Sequence, residues 1–184
     1  MTQDSDFSDD LWVFAYGSLM WRPGFDFAGR ERGRMEGYHR CFCMSSIHYR
    51  GTPEAPGLVL ALDPEAGAVC EGIAYRVAPD ARGATLAYLR ERELISAAYR
   101  EVFAPVVLNG GQRVQAVTYV MDQAHEQYCG RLTLDQQAEI IARSHGKMGP
   151  NADYLFETAA HLQEIGCPDP DLAALDAMVR LLRP

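Results

Sequence analysis

Val13-Phe14-Ala15-Tyr16-Gly17-Ser18-Leu19 decides how this chain is read. Together with Leu11 and Trp12 it forms a short apolar run that stops at Gly17-Ser18, a natural strand-to-turn break. Glycine after a strand permits unusual backbone angles or brings a ligand close to the main chain. Successive N–H groups in such a turn form a nest for an anion or carboxylate, and Ser18 adds a hydroxyl. The simpler reading is a strand-ending turn with a structural tyrosine. Gly24 and Gly29 supply neither the dinucleotide nor the Walker glycine spacing.

Working outward, the first half reads as strands: Arg34 to Met44, Gly57 to Leu62 and Cys70 to Val77. Asp63-Pro64 and Pro79 punctuate them. Gly83 to Val102 is rich in Leu, Ala, Glu and Arg and predicts a helix. Asn109-Gly110-Gly111 predicts a tight turn before a strand over Val114 to Met121. The last third is helical. Thr133 and Gln136 have capping-box spacing for a helix reaching Ser144. A second helix runs from Asn151 to a Gly166 stop, and Asp169-Pro170 caps a third. The sum is one α+β domain over residues 11–184, a mixed sheet or small barrel with flanking helices, after a flexible polar segment at 1–10.

The chain has 184 residues, enough for one sizeable core. Its 48% hydrophobic and 23% charged content is that of a globular protein. A net charge of -8 argues against general affinity for nucleic acid or anionic membranes. A locally positive pocket remains compatible with a small anionic ligand. The first ten residues lack the basic and apolar regions of a secretory signal, and no stretch approaches the roughly 18 apolar residues of a membrane span. A cytoplasmic location is the expectation.

Five cysteines, Cys41, Cys43, Cys70, Cys129 and Cys167, form no disulfide framework. Cys41 and Cys43 share one strand face by alternation. Their single-residue spacing is not that of a zinc knuckle, so structural thiols are expected and no metal. The histidines show no ligand pattern, and no nucleophile elbow accompanies any serine.

Three carboxylates, Glu91, Glu93 and Glu101, lie on or near the 83–102 segment. Glu93 has Leu89 and Leu86 on its helical stripe, with Ala97 four residues on. A carboxylate among apolar groups has a raised pKa and suits proton transfer near neutrality. Glu91 has Ala87 and Ile95 at the same offsets, so periodicity does not choose between them. Tyr119, in the last strand, either faces a cavity or packs in the core.

Several ordered segments carry a family resemblance. They are Val13 to Pro23, Gly37-Tyr38-His39-Arg40, Tyr49-Arg50-Gly51-Thr52-Pro53, Pro56 to Leu60, Glu71-Gly72-Ile73-Ala74-Tyr75, Tyr88 to Glu93, Tyr119-Val120 and Gly149 to Leu155. In this order they resemble the ChaC-like gamma-glutamylcyclotransferases over about residues 11 to 182. The resemblance implies a compact fold with a small mixed β-barrel and flanking helices. It implies conversion of glutathione to 5-oxoproline and cysteinylglycine, with no cofactor, metal or obligate protein partner. It assigns the acid/base role to Glu93 and γ-glutamyl binding to the loop of Tyr16, Gly17, Ser18 and Leu19. Arg50, Tyr119 and Tyr154 are further candidates for substrate binding; an arginine can hold a carboxylate bidentately. Two departures from the family pattern bear on selectivity. Ser45-Ser46-Ile47-His48-Tyr49 replaces a more acidic or tryptophan-bearing stretch, and Ser96-Ala97-Ala98-Tyr99 replaces a glycine-richer one. A related γ-glutamyl substrate, or a non-catalytic binding role, would fit the same fold. A cavity shared by Glu93 and the Tyr16–Leu19 loop would favour the enzyme.

Overall fold

The computed structural model describes residues 10–183. The expected flexible start therefore lies outside the described residues, Asp10 excepted. Five strands close a barrel in the order β1-β3-β2-β4-β5. They are β1 (Leu11–Ala15), β2 (Gly29–Ser46), β3 (Gly57–Val77), β4 (Tyr99–Leu108) and β5 (Arg113–Met121). All pairings are antiparallel except β1 with β5, which is parallel and closes the barrel. Closure leaves few open edges, the usual hazard of a small sheet.

Helix α1 (Arg82–Glu93) lies between β3 and β4. After β5 come α2 (Leu134–Arg143), the two-residue strands β6 (His145–Gly146) and β7 (Gly149–Pro150), α3 (Asn151–Glu164) and α4 (Pro170–Leu182). Thr133 and Gln136 form the reciprocal capping box that their spacing predicts. Asp169 caps α4 by accepting from the N–H groups of Asp171 and Leu172, and Gly166 takes the left-handed turn that follows α3. One apolar core joins the barrel to the helices through Phe14, Met35, Leu62, Leu155, Leu162 and Leu175, among others.

Two expectations are corrected. The third and fourth expected strands are one strand, β3, which runs straight through Asp63-Pro64. From Leu58 to Pro64, alternate residues turn their backbone groups to an edge that none of the described strands covers. A proline there has no ladder hydrogen bond to lose. The helix expected over 83–102 ends at Glu93, and Tyr99 to Leu108 is β4. Glutamate, arginine and alanine favoured helix locally, but Val102, Phe103 and Ala104 pair with Thr118, Val117 and Ala116 of β5. Tertiary pairing overrides the weak propensity. Pro105 is accommodated beyond the stretch where β4 pairs with β2, which is limited to Leu108 and Val107.

The open edge of β3 matters for the site. Buried Asn151, the first residue of α3, receives the Leu58 N–H at 2.7 Å and donates to the Leu58 carbonyl at 2.7 Å. Its amide thus substitutes for a neighbouring strand. One helical turn later Tyr154 reaches the same edge, its hydroxyl accepting from the Leu60 N–H at 3.4 Å. Tyr99 donates to the Leu60 carbonyl at 3.0 Å. Period-two alternation of the strand and the i, i+3 spacing of the helix bring these groups together.

Candidate functional site

At the end of β1 the chain turns through Gly17 into a short 3-10 turn, Ser18–Met20. This loop, with Leu60 of β3, Glu93 of α1, Tyr99 of β4, Thr118 and Tyr119 of β5 and Tyr154 of α3, lines a cavity of about 80 Å³. Expected site residues Tyr16, Gly17, Ser18, Leu19, Glu93, Tyr119 and Tyr154 thus meet in one place. Arg50 does not line it. Its guanidinium donates to the carbonyls of Met148 at 2.9 Å and Pro150 at 3.2 Å and lies 5.4 Å from the Tyr154 ring centre. It braces Tyr154 from outside the cavity.

The loop is fixed from behind. Arg40 is buried and donates to the Tyr16 carbonyl at 2.7 Å, to Asp169 at 2.9 Å and to the Glu71 carbonyl. One side chain therefore ties the loop to β3 and to the cap of α4. Tyr75 donates to the Met20 carbonyl at 2.7 Å, and Trp21 stacks on His161 with ring centres 4.6 Å apart. Gly17 has negative φ, and a Cβ built on it would meet only Leu60 Cδ2, at 3.6 Å. The fold would tolerate a methyl there; its absence keeps the cavity open. The first N–H groups of a helical turn have no partner within the turn, so the main chain around Ser18 and Leu19 supplies donors beside the cavity.

Glu93 is the last residue of α1 and only 17% of its side chain is exposed. Burial raises its pKa above the ordinary carboxylate range, while the neighbouring Arg92 pulls the other way. A carboxylate at a helix C-terminus also faces the negative end of the helix dipole, which acts in the same direction as burial. Glu91 is exposed, so the fold makes the choice that periodicity left open. Glu101 is on β4, not on a helix. It is held by Arg90 through two bonds of 2.8 Å and accepts from Tyr119 at 3.0 Å. The Arg90 guanidinium lowers its pKa, so it stays a carboxylate and orients Tyr119.

Tyr16 is buried and Tyr99 half-buried, and both phenol pKa values are raised, first by desolvation. Both remain protonated in a site that also contains Glu93, and the Tyr99 O–H is donated to the Leu60 carbonyl. Tyr154 is raised in the same way by burial.

Sequence reasoning missed Tyr99, Leu60, Thr118 and Arg92. Arg92 lies 3.2 Å from Glu93, donates to Ser18 Oγ at 2.9 Å and to the Arg22 carbonyl at 2.7 Å, and so joins the helix end to the loop. The only sequence signal was its place beside Glu93. Tyr99 could have been found had β4 been recognised, because it is the strand's first residue.

The family model described as ChaC-like protein matches residues 11–182. The chain belongs to the ChaC-like family. Among ChaC-like relatives, the glutathione-specific gamma-glutamylcyclotransferase of Escherichia coli K12 is 35% identical, over 94% of this chain and 74% of that protein. Gamma-glutamylcyclotransferase 2-3 of Arabidopsis thaliana is 32% identical, over 92% of this chain and 88% of that protein. The crystal structure of a yeast gamma-glutamyl cyclotransferase specific to glutathione superposes with a TM-score of 0.80 at 25% identity, covering 95% of this chain and all of that one. The small mixed barrel with flanking helices is thus the fold of this family. The likeness to these enzymes supports a catalytic protein of general cyclotransferase type.

Proposed function

We propose that this ChaC-like protein converts glutathione to 5-oxoproline and cysteinylglycine. The observation that carries the proposal is Glu93, a desolvated carboxylate lining the same cavity as the Tyr16–Leu19 loop. Relatives named for glutathione-specific cyclotransferase activity support the substrate.

The substrate's own α-amine attacks its γ-carbonyl carbon and closes a five-membered ring. Both reacting groups belong to one molecule, so holding the chain bent supplies much of the rate. Glu93 takes a proton from the attacking amine as the C–N bond forms. It returns a proton to the departing cysteinylglycine nitrogen as the scissile C–N bond breaks. N–H groups of the Gly17–Leu19 turn, and the hydroxyls of Tyr16 and Tyr154, are suited to binding the glutamyl carboxylate or the oxyanion, whereas Tyr99 and Tyr119 already donate to the Leu60 carbonyl and Glu101. No atom of the protein becomes covalently attached, and each reaction cycle leaves Glu93 ionised again.

The cavity's size favours keeping a second reading. At about 80 Å³ it is well below the roughly 300 Å³ of a site enclosing a whole drug-sized ligand. It suits the γ-glutamyl end, leaving the remainder at the mouth. Another γ-glutamyl amine or dipeptide would meet the same inner groups. Purified protein is therefore to be incubated with glutathione beside a panel of γ-glutamyl dipeptides and amines. The proposal expects the highest kcat/KM for glutathione. A higher value for a different panel member would transfer the assignment to that compound, and no turnover of any would favour a binding role.

A further inference from the structure

Cys41 and Cys43 share a strand face, and the fold gives them a third partner that their spacing did not reveal. Asp63 of β3 pairs with His39 of β2, two residues before Cys41, so its side chain joins the same face. Opposite Cys41 stands Ala61, whose small side chain leaves room. An extra residue in β2 between Cys41 and Met44 forms a bulge, and bulges re-aim side chains. The two Sγ atoms and a carboxylate oxygen of Asp63 all lie within 4.8 Å of one another.

We propose that Cys41, Cys43 and Asp63 form a binding site for a thiophilic divalent cation, Zn²⁺ foremost. Two sulfurs and one oxygen are a suitable donor set for Zn²⁺, which accepts mixed thiolate and carboxylate ligands in a tetrahedron. Tetrahedral Zn²⁺ bonds of about 2.0–2.3 Å place ligand atoms roughly 3.3–3.8 Å apart, so the three need close by only about 1 Å. The carboxylate is already oriented as a ligating carboxylate should be: Tyr128 donates to one oxygen at 2.9 Å and Gln123 to the other at 2.8 Å. A cavity of about 120 Å³ lined by His39, Cys41, Cys43, Glu65 and Arg131, among others, gives an entry route and space for a fourth ligand such as water.

The charge balance suits a buried site. A divalent ion enters as two thiol protons leave. Two thiolates and a carboxylate then face two positive charges, which leaves the net charge of two thiols and one carboxylate unchanged. Cys43 packs with Ala98, Met121 and Tyr99, so the ion would sit behind the wall of the Glu93 cavity. It takes no part in the chemistry proposed above and is tested independently of it.

Reduced, chelator-treated protein is to be titrated with Co²⁺ without oxygen. The site predicts one ion per chain, a near-ultraviolet thiolate-to-cobalt band with visible d–d bands, and displacement of both by Zn²⁺ but not Mg²⁺. Absence of the thiolate band in the folded wild-type protein overturns the proposal. Cys41→Ser should cut the band by about half or more, since only the Cys43 thiolate remains, and Asp63→Asn should weaken Co²⁺ binding at least about tenfold, both with circular dichroism confirming the fold. A folded Cys41→Ser protein with the full band, or Asp63→Asn with unchanged affinity, would also overturn this ligand set.

Discussion

Glu93→Gln separates chemistry from folding, because the two are predicted to move in opposite directions. Glutamine keeps the shape of the side chain but cannot take a proton. General acid–base catalysis contributes roughly 10²–10⁴-fold, so kcat/KM for glutathione should fall by that factor, about 2.7–5.5 kcal/mol of barrier. Stability should rise. Burial raises the Glu93 pKa in the folded protein above that of the unfolded chain. Between the two values the native state binds more protons, so the unfolding free energy falls as pH increases through that window. Above it the wild type carries the cost of a buried carboxylate and glutamine does not. Thermal unfolding at pH 7 should therefore give a higher Tm for E93Q, and the gain should vanish below the unfolded carboxylate pKa of about 4.3. The acid limb of the wild-type kcat/KM profile should lie above the ordinary carboxylate range and be absent from the residual activity of the variant. Unchanged turnover, or a lower Tm at pH 7, would refute the reasoning.

Other perturbations test other parts of the account. Gly17→Ala should fold with nearly wild-type Tm, since its methyl meets only Leu60 at ordinary contact distance, yet raise KM at least about tenfold by occupying the cavity; steady-state kinetics read this. Asn151→Ala strips partners from both backbone groups of Leu58, at roughly 1–3 kcal/mol each, so urea unfolding should show a loss of about 2–6 kcal/mol. Ala97 has φ of 56°, a left-handed conformation costly for a residue with a Cβ. Ala97→Gly should relieve about 1–2 kcal/mol of strain against about 0.5–1 of added chain entropy, a net gain between about 0 and 1.5 kcal/mol in the same assay, and a loss of stability would count against the strain.

Much of the barrel was legible because its strands are bounded by turn residues with strong local chemistry. Asn109-Gly110-Gly111 and the Thr133–Gln136 box could be read directly, since each acts over a few residues. Asp63-Pro64 misled because a proline breaks only a strand edge that needs its N–H, and whether that edge is covered is a property of the whole sheet. The 94–102 segment misled because Ala97, Ala98, Arg100 and Glu101 favour helix locally while the barrel partner of its second half lies in β5. For the site, the Tyr16–Leu19 loop was visible as an apolar run ending in glycine. Glu93 was reached through resemblance, and its distinction from Glu91 came only with the end of α1. Arg40 and Arg92 were hidden for a different reason. They act on groups 24 and 74 positions away, Tyr16 and Ser18, and no local pattern records such a contact.

The most direct test of the central claim is the identity of the glutamyl product in oxygen-18 water. Intramolecular attack by the α-amine predicts 5-oxoproline and cysteinylglycine in equal amounts, with no oxygen-18 in the 5-oxoproline by mass spectrometry. Glutamate carrying one oxygen-18 as the primary product would mean that water is the nucleophile and would contradict the account.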